Sequence, residues 1–483
     1  MATVKKLVGD AALYGVSSIV ARLLNFLLTP LHTAVLPKAE YGAYSDLYVF
    51  IAFLMVVLTY GMETAYFRFS QRADANSESV YSTSLLSILG TTVFFLLVLS
   101  LFYQPLAEVL RYGSRPELVL GMGLIVAFEA VAAVPFARLR AQGKAARFVA
   151  IKTGLILVNI VLNLFFYQWY PAQNPAFDAH TVQWVLVANL GASLFMILCL
   201  WPEWRAIRLP SFNWTVWRQM LAFGFPLLLA GLPGVANEMA DRFFIKYLLP
   251  AETSLADVGT YSAIYKLSIF LVMFNQAFRY AAEPFFFKAG GQGNAAPMLA
   301  RTTRAFVAVV GLGMVSVLAG LDLLKHFIAA KYWDHLHLLP ILLWANLFLA
   351  LNTQLSMGYK LNDKTSLALR VTLVGFALTV VLNWVWIPRW GIEGAAWATL
   401  VSYAGMTLVS YGLGTKYFPV PYEVGKISLY LVAAAACGYG AFLASGVPLL
   451  QILAAGVYAA VVFAVERPDR WRRNSAPSQT LNP

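Results

Sequence analysis

Charged residues are scarce in this chain, and their scarcity excludes an ordinary soluble fold. They make up 12% of the 483 residues, about half the share of a typical soluble domain. Hydrophobic residues make up 60%, the mean hydropathy is +0.68, and apolar runs of about 20 residues recur along the sequence. A backbone in lipid must satisfy its hydrogen bonds within helices or closed barrels. The composition therefore predicts an all-α protein that crosses a membrane many times.

Cysteine is nearly absent as well. Cys199 and Cys437 both fall within apolar runs, which excludes a disulfide framework and a cysteine-ligated metal cluster. His335 and His337 have the spacing of metal ligands, but two histidines on a loop without a third ligand are more often solvated. The sequence also has no phosphate-binding loop of the P-loop type. We therefore predict no metal site and no cofactor, and no direct use of ATP.

Fourteen apolar segments are long enough to cross a membrane as helices. They are predicted at residues 8–31, 44–67, 81–103, 116–138, 148–168, 180–200, 219–241, 258–282, 300–321, 336–357, 366–387, 393–414, 424–443 and 447–465. With both termini in the cytoplasm, the inside segments hold 25 of the 35 Lys and Arg residues and the outside loops hold eight. This bias follows the positive-inside rule and accounts for the net charge of +12 without a nucleic-acid partner.

Short motifs recur at a nearly constant distance along the chain. Residues 41–48 read Tyr-Gly-Ala-Tyr-Ser-Asp-Leu-Tyr and residues 258–265 read Val-Gly-Thr-Tyr-Ser-Ala-Ile-Tyr, which places Gly42 and Gly259 at an offset of 217. Val-Leu-Asn at residues 161–163 recurs at residues 381–383, at an offset of 220. Each offset spans six predicted helices, an even number, so both copies keep the same orientation. We predict two pseudo-symmetric six-helix lobes related by an axis along the membrane normal.

The repeat also sets the predicted domain boundaries. The N-terminal lobe covers residues 1–201 and the C-terminal lobe covers residues 219–415. The linker at 202–218 mixes tryptophans with arginines, which favours either an interfacial segment on the inner leaflet or a plain linker with interfacial aromatic residues. Two additional helices occupy residues 416–466, and residues 467–483 are predicted to form a cytoplasmic tail. Its Ser-, Pro- and Asn-rich part from Asn474 onward is predicted to be disordered.

The first predicted span carries a polar face. Tyr14, Ser18, Arg22, Asn25 and Thr29 follow one another at spacings of three and four, so they share one side of a helix. A charge near the middle of a span costs about 3 kcal/mol. Arg22 is therefore expected to face either a water-filled cavity or a carboxylate on a neighbouring helix.

Charged side chains in later spans are candidates for ion coupling or for substrate binding. The carboxylates are Glu63, Glu129, Glu238 and Asp241. Glu63 could instead pair with Arg22 or extend to the interface, and Glu129 could form a hydrogen bond between helices. The seventh span, which contains Pro226 and Pro233, is expected to bend. In the eighth span Tyr261 and Tyr265 share a polar face beside Lys266, whose ammonium either pairs with Asp241 or Glu238 or meets an anion.

Three groups of motifs resemble those of Wzx-type polysaccharide flippases. They are Tyr14-Gly15, Ser18, Arg22 and Pro30-Leu31 leading to Glu40-Tyr41-Gly42; Asp241-Arg242-Phe243-Phe244-Ile245 leading to residues 258–262 and Lys266; and Asn383 leading to residues 391–396. These flippases belong to the MOP superfamily, together with MATE drug exporters and MurJ-type lipid II flippases. The resemblance spans most of the first twelve helices, and the two helices that follow are similar to the MurJ arrangement.

The resemblance implies a transporter rather than an enzyme. It implies two lobes that work by alternating access and move a polyprenyl-diphosphate-linked oligosaccharide from the cytoplasmic to the outer leaflet of the bacterial inner membrane, for cell-envelope polysaccharide such as lipopolysaccharide. By motif position, Arg22, Arg242 and Lys266 would meet the diphosphate. Asn25, Tyr261 and Tyr265, on the same polar faces, complete the predicted binding set. We expect a monomer surrounded by membrane lipids, near other polysaccharide-assembly proteins.

Alternatives remain open at this point. A MurJ-like lipid II flippase would share the two additional helices, and a MATE-like exporter would use carboxylates in its cavity to bind cations. A membrane glycosyltransferase or polymerase would need a larger outer loop than those of about 15 residues found here. The driving force is equally open between the membrane potential, a Na+ or proton gradient, and consumption of the glycan downstream.

Overall fold

A computed structural model shows the chain as helices joined by short connections, with no strand among the residues it describes. Those residues are 24, 26–72, 76–208, 211–276, 278, 295–360 and 364–474. The chain divides into two compact units, Met1–Ala263 with Ile387–Ile392, and Ile264–Trp386 with Glu393–Pro483. The lobe boundaries inferred from the repeat stay a prediction.

The first unit is organised around one buried helix. Its helices are α1 (Thr29–Val35), α2 (Lys38–Thr59), α3 (Met62–Ser70), α4 (Ser77–Val109), α5 (Glu117–Ala141), α6 (Ala145–Leu164), α7 (Gln183–Cys199), α8 (Trp214–Leu248) and α9 (Ala251–Leu267), whose last turn passes to the second unit. Among the described spans of this unit, α5 is the most deeply buried. Its charged side chains are therefore held by protein on several sides.

The second unit contains the remaining long helices. They are α10 (Ala295–Ala319), α11 (Leu338–Lys360), α12 (Thr365–Tyr417), α13 (Val424–Leu443) and α14 (Pro448–Asn474). Although α12 is assigned as one helix of 53 residues, Gly391 interrupts it with φ 58° and ψ −136°. A straight helix of this length would measure about 80 Å, more than twice the thickness of the hydrocarbon core. The break separates two spans, as predicted for residues 366–387 and 393–414.

The predicted all-α polytopic fold is confirmed. Ten helices in the described part of the chain are long and apolar enough to cross a membrane, or eleven if α9 and the helix Ile269–Gln276, bent by 50° against it, form one span. The shorter apolar helix α7 and the division of α12 account for further predicted spans. Most of the first predicted span lies outside the described residues.

Two helices differ in detail from the prediction. α2 begins at Lys38, earlier than the predicted start at residue 44, directly after Pro37, which forms its N-cap with an extended ψ of 157°. α8 runs through Pro226 and Pro233 as one helix, so neither proline ends it, and the bend inferred there stays a prediction.

Tyr60 and Gly61 separate α2 from α3 and bring the break close to α8. Both residues have positive φ, 30° and 72°. A Cβ atom on Gly61 would lie 2.7 Å from the carbonyl oxygen of Gly224, and one on Gly224 would lie 2.7 Å from that of Tyr60. The backbones therefore touch directly, and this contact requires glycine on both sides.

The two glycines paired by the sequence repeat also meet in space. A Cβ atom on Gly42 would collide with the carbonyl oxygen of Leu255, and one on Gly259 would collide with that of Lys38. Lys38 and Leu255 are themselves related by the offset of 217. Equivalent residues thus make the same contact in both directions, which is the signature of a local two-fold axis between α2 and α9.

The segment predicted as an inter-lobe linker packs against α4 in the first unit. Tyr81 Oη donates a hydrogen bond to the carbonyl oxygen of Glu203 at 2.8 Å, and the Asn213 N–H donates to Thr83 Oγ1 at 3.0 Å. The Glu203 carboxylate, 5% exposed as a residue, pairs with Arg147 at 2.9 Å. These bonds fix residues on both sides of positions 209–210 to the same helix bundle.

The last two helices are tied to α10 by charges. Arg304 on α10 reaches Glu423 at 2.5 Å and Glu466 at 2.8 Å, and Tyr430 Oη donates to Glu466 at 2.7 Å. Beyond the C-terminal end of α10, Asp322 accepts hydrogen bonds from Lys325, from the turn between α13 and α14, and from the first turn of α14. Its donors are Lys325 Nζ (2.9 Å), Ser445 Oγ (2.8 Å), the Gly446 N–H (2.6 Å) and Gln451 Nε2 (2.8 Å). The helical pair is therefore anchored to α10 and to the segment after it.

The Asp322 contacts predict an acid-sensitive anchor. Lys325 above all, followed by the Gly446 N–H, holds the pKa of the Asp322 carboxyl well below its usual value. A lowered folded-state pKa stabilises the fold above the unfolded carboxyl pKa of about 3.9, and this stabilisation is lost as the pH falls further. Asp322→Asn should therefore lower the free energy of unfolding by about 1–3 kcal/mol at pH 7, and this difference should narrow progressively as the pH falls below about 4. Thermal unfolding in detergent from pH 7 to 3 measures it. Asp334→Asn, at an exposed aspartate, is the control, and a gap independent of pH would contradict the assignment.

Candidate functional site

A charged cavity lies within the first unit, between helices that are long and apolar enough to cross the membrane. Its volume is about 270 Å³. It is lined by Met55, Glu63, Glu129, Ala132, Ala133, Phe136, Arg140, Phe148, Lys152, Leu155 and Met196. Two carboxylates and two cations therefore share one small space whose remaining walls are apolar and aromatic.

Helical spacing places these side chains together. Glu129, Phe136 and Arg140 recur on α5 at intervals of seven and four, so they lie on one face. Phe148 and Lys152, four residues apart, do the same on α6. Because α5 is surrounded by other helices, its polar face opens into the interior rather than toward lipid.

Each cation in the cavity has a partner. Arg140 forms an ion pair with Glu63 on α3, and its guanidinium lies 4.9 Å from the ring centroid of Phe67. Lys152 Nζ lies 4.3 Å from the ring centroid of Phe136 and shares the cavity with the Glu129 carboxylate. The two carboxylates offset the two cations, so the side chains that line the site are together close to electrically neutral.

This arrangement suits reversible binding of a charged ligand. An anion could take up the attraction that Lys152 and Arg140 now direct at the carboxylates, and the carboxylates would keep that anion from binding too tightly. Charges within membrane-spanning helices are costly unless compensated, so each ion is held in place by its counter-charge. In the described part of the chain, no group of three His, Cys, Asp or Glu side chains is placed to hold a metal ion.

The structure brings together two of the predicted ion-coupling residues and adds partners that the sequence analysis missed. Glu63 and Glu129 both line the cavity, whereas Arg140 and Lys152 had been counted as inner-loop charges. Their intervals from Glu129 and Phe148 along the two helices are the signal that could have identified them. Arg22, the other partner considered for Glu63, lies outside the described residues, as does Asn25.

A second group of predicted residues meets where α8 and α9 pack. Tyr261 Oη donates a hydrogen bond to Asp241 Oδ2 at 2.7 Å, and both side chains are buried. Arg242 donates to the carbonyl oxygen of Glu238 at 3.1 Å, and its guanidinium lies 5.4 Å from the Tyr261 ring centroid. Asp241, Arg242 and Tyr261 thus form one cluster, with the exposed Glu238 at its edge.

Tyr265 and Lys266 follow Tyr261 on α9, and both are half-buried. Their assignment to substrate binding stays a prediction. The assignment of Arg242 to substrate binding also stays a prediction. The same holds for the assignment of Glu63, Glu129, Glu238 and Asp241 as candidates for ion coupling.

Comparison with known proteins adds a family and a fold. The profile of a family described as "Polysaccharide biosynthesis protein" matches residues 7–289. No curated protein matches the chain.

Several solved structures share the fold. The lipid II flippase MurJ, in an inward closed conformation, has a TM-score of 0.71 at 12% identity, over 95% of this chain and 99% of that one. An inward-facing multidrug resistance transporter of the MATE family, in the MOP superfamily, has a TM-score of 0.59 at 15% identity, over 82% and 94%. A Vibrio cholerae MATE transporter has a TM-score of 0.56 at 14% identity, over 85% and 97%. At such identities the likeness establishes a common fold.

Proposed function

Since this multi-pass membrane protein belongs to the polysaccharide biosynthesis protein family, we propose that it is a flippase. It carries a polyprenyl-diphosphate-linked glycan from the cytoplasmic to the outer leaflet by alternating access, for cell-surface polysaccharide synthesis. It acts as a transporter rather than an enzyme, in the bacterial inner membrane, with both termini in the cytoplasm.

The observation that carries this proposal is the charged cavity of the first unit. Arg140 and Lys152 occupy membrane-spanning helices, where cations are expensive unless they serve a ligand or a structural pair. A diphosphate that crossed the hydrocarbon core unaided would lose its hydration at prohibitive cost. Cations within the protein replace part of that hydration, and the apolar chain of the substrate can remain in lipid.

The balance of charge in the cavity supports transport rather than storage. A transported anion has to be released, so its binding site must not hold it with uncompensated cations. Glu63 and Glu129 supply the compensation. Arg242 and Lys266, together with Arg22, are the further cations that we assign to the diphosphate, with Asn25, Tyr261 and Tyr265 as polar neighbours. Transport is driven by the membrane potential, by a Na+ or proton gradient, or by consumption of the product.

A second function is favoured by one feature of the same cavity. Glu63 and Glu129 are as numerous as the cations there, and a MATE-like exporter of organic cations would use carboxylates of this kind. In that case the cations would serve to neutralise the carboxylates between rounds of substrate binding.

Reconstitution separates the two functions. The purified chain is placed in liposomes with a fluorescent polyprenyl-diphosphate oligosaccharide, and the accessibility of the label on each side is followed. We expect transfer that depends on the protein. Efflux of small organic cations without glycan transfer would reject the flippase and favour the exporter. A lipid II analogue as a second substrate distinguishes a MurJ-like activity.

Arg242 provides a direct test of the predicted binding set. Arg242→Gln should lower the rate of glycan transfer about tenfold, the loss expected for one charge-assisted contact with phosphate. Lys266→Gln should act similarly. Arg218→Gln, which removes an exposed arginine from the same helix as Arg242, should transfer at the parental rate. Parental rates for both test variants, at equal protein levels, would remove these residues from the binding site.

A further inference from the structure

A fully buried ion pair joins α2 to α8 away from the charged cavity. Lys246 Nζ lies 2.5 Å from Asp46 Oδ2, and neither side chain has any exposed surface. Tyr112 Oη donates a second hydrogen bond to Asp46 Oδ2 at 2.7 Å, and its ring centroid lies 4.1 Å from Lys246 Nζ. Asp46 and Lys246 come from different halves of the sequence repeat, so the pair bridges elements predicted to belong to different lobes.

A second contact holds the same end of α8. Arg111, on the turn between α4 and α5, donates hydrogen bonds to the carbonyl oxygens of Lys246 at 2.6 Å and Tyr247 at 3.4 Å. In return, Tyr247 Oη donates to the carbonyl oxygen of Val109 at 3.2 Å. Arg111 adopts a φ of 58°, which is uncommon for a residue other than glycine. The turn therefore has an uncommon backbone conformation at Arg111, the residue whose guanidinium binds the end of α8.

The two repeats also touch directly at this end of α2. Gly42, one helical turn before Asp46, packs backbone to backbone against Gly259. A movement that separated α2 from α9 here would therefore also draw apart the elements that the ion pair joins. The ion pair, the arginine clamp and the glycine contact lie along one connected seam within the first unit.

The chemistry of the pair favours a reversible contact over a permanent one. A buried ion pair contributes little net stability compared with apolar packing, but removal of one partner strongly destabilises the closed arrangement. Among the described residues, no group donates a hydrogen bond to Asp46 Oδ1, although that atom is buried. When the seam opens, water can hydrate this oxygen. Opening is therefore less costly than it would be for a fully satisfied pair.

We propose that Asp46, Lys246 and Arg111 form a latch that holds the two repeats together at this end and is released in each transport cycle. The proposal rests on the alternating-access function proposed above and adds the residues that keep one end shut. In the predicted topology this is the outer end. The latch closes when Lys246 meets Asp46, and it opens when water enters and hydrates both charges.

The test measures opening directly and uses no substrate. Cys199 and Cys437 are first replaced by serine, and Ser262→Cys then introduces one buried thiol. Position 262 lies on the same face of α9 as Leu255 and Gly259, by helical spacing, and so faces the seam. The rate of labelling by N-ethylmaleimide in proteoliposomes reports how often the seam opens. A second chain with Ser193→Cys, a buried position on α7, reports general loosening of the first unit.

We expect Asp46→Asn and Lys246→Met each to raise labelling at position 262 at least tenfold, because each leaves one buried charge unpaired. The double variant should return labelling to the parental rate or below, because both charges are gone. Arg111→Gln, which leaves the buried pair intact, should raise labelling about threefold and serves if the buried variants do not fold. Arg147→Gln, at an ion pair elsewhere in the unit, should have no effect.

Two results would overturn the latch. One is an unchanged labelling rate at position 262 in the Asp46, Lys246 and Arg111 variants. The other is a rise that occurs equally at position 193, which would make the pair a general packing element. Since no glycan is involved, failure of the flippase assay would leave either result interpretable, and failure of the latch would leave the flippase proposal standing.

Discussion

Lys152→Gln should reduce glycan transfer about 30- to 150-fold at an unchanged level of folded protein, because it removes a cation from a site of low dielectric. A charge-assisted hydrogen bond in such a site is worth about 2–3 kcal/mol. Lys152 and Arg242 are both half-buried, but the loss should be greater for Lys152, since the remaining walls of its cavity are apolar and aromatic. Once the Lys152 ammonium is removed, the Glu129 carboxylate would also repel the phosphate.

The partner residue makes this prediction specific. Glu129→Gln alone should strengthen phosphate binding and slow release, because Lys152 would lose the charge that opposes the ligand. Combined with Lys152→Gln, it should recover part of the lost activity by removing the repulsion. Such coupling between neighbours is what a double-mutant cycle measures.

Transfer rates in liposomes, corrected for the amount of folded protein, provide the readout. Lys144→Gln is the matched control, because Lys144 is an exposed lysine one residue before α6 begins. If Lys152→Gln transfers glycan at the parental rate, the cavity does not bind the substrate. If Lys152→Gln instead lowers the melting temperature and the double variant restores it, the pair is structural.

The fold could be predicted from composition because lipid permits few solutions. Low charge and long apolar runs leave helices as the simplest way to satisfy the backbone, and the helices found agree in class with those predicted. The sequence repeat also aligns Gly42 with Gly259, and the structure places these two residues in contact. A glycine kept at matching positions in two otherwise different segments indicates a close approach of the backbones.

The site was harder to predict because hydropathy places a charge near a helix end in the adjacent loop. The predicted spans 116–138 and 219–241 leave Arg140 and Lys246 in the loops that follow them. The helices that carry them continue to Ala141 and Leu248, beyond the predicted ends at residues 138 and 241. Packing against charged partners, Glu63 for the one and Asp46 for the other, allows the helices to extend through these residues. How deeply a charged side chain is buried depends on such partners, and a single sequence does not show which residues they are.

The contact between Gly42 and Gly259 should tolerate no side chain at all. Gly42→Ala places a methyl group against the carbonyl oxygen of Leu255 and 3.0 Å from the Gly259 nitrogen. Backbone atoms cannot rotate away as a side chain can, so α2 and α9 would have to separate. Overpacking of a rigid interface costs about 1–3 kcal/mol and sometimes more. We expect at least the upper end of that range, together with loss of transport.

The two-fold geometry of this contact also predicts how the effects of the two glycine substitutions combine. Gly259→Ala should cost about as much as Gly42→Ala, because each methyl group meets the equivalent carbonyl group of the other repeat. Once one substitution has forced the helices apart, the second meets less resistance, so the double variant should cost clearly less than the sum of the two. Gly90→Ala, in the interior of α4 with nothing within 4 Å of the added Cβ, should be neutral or stabilise the helix by about 0.5–1 kcal/mol. Thermal unfolding in detergent compares the four variants. Simple additivity would mean that the two glycines act independently, and that the repeat does not mark an axis of contact.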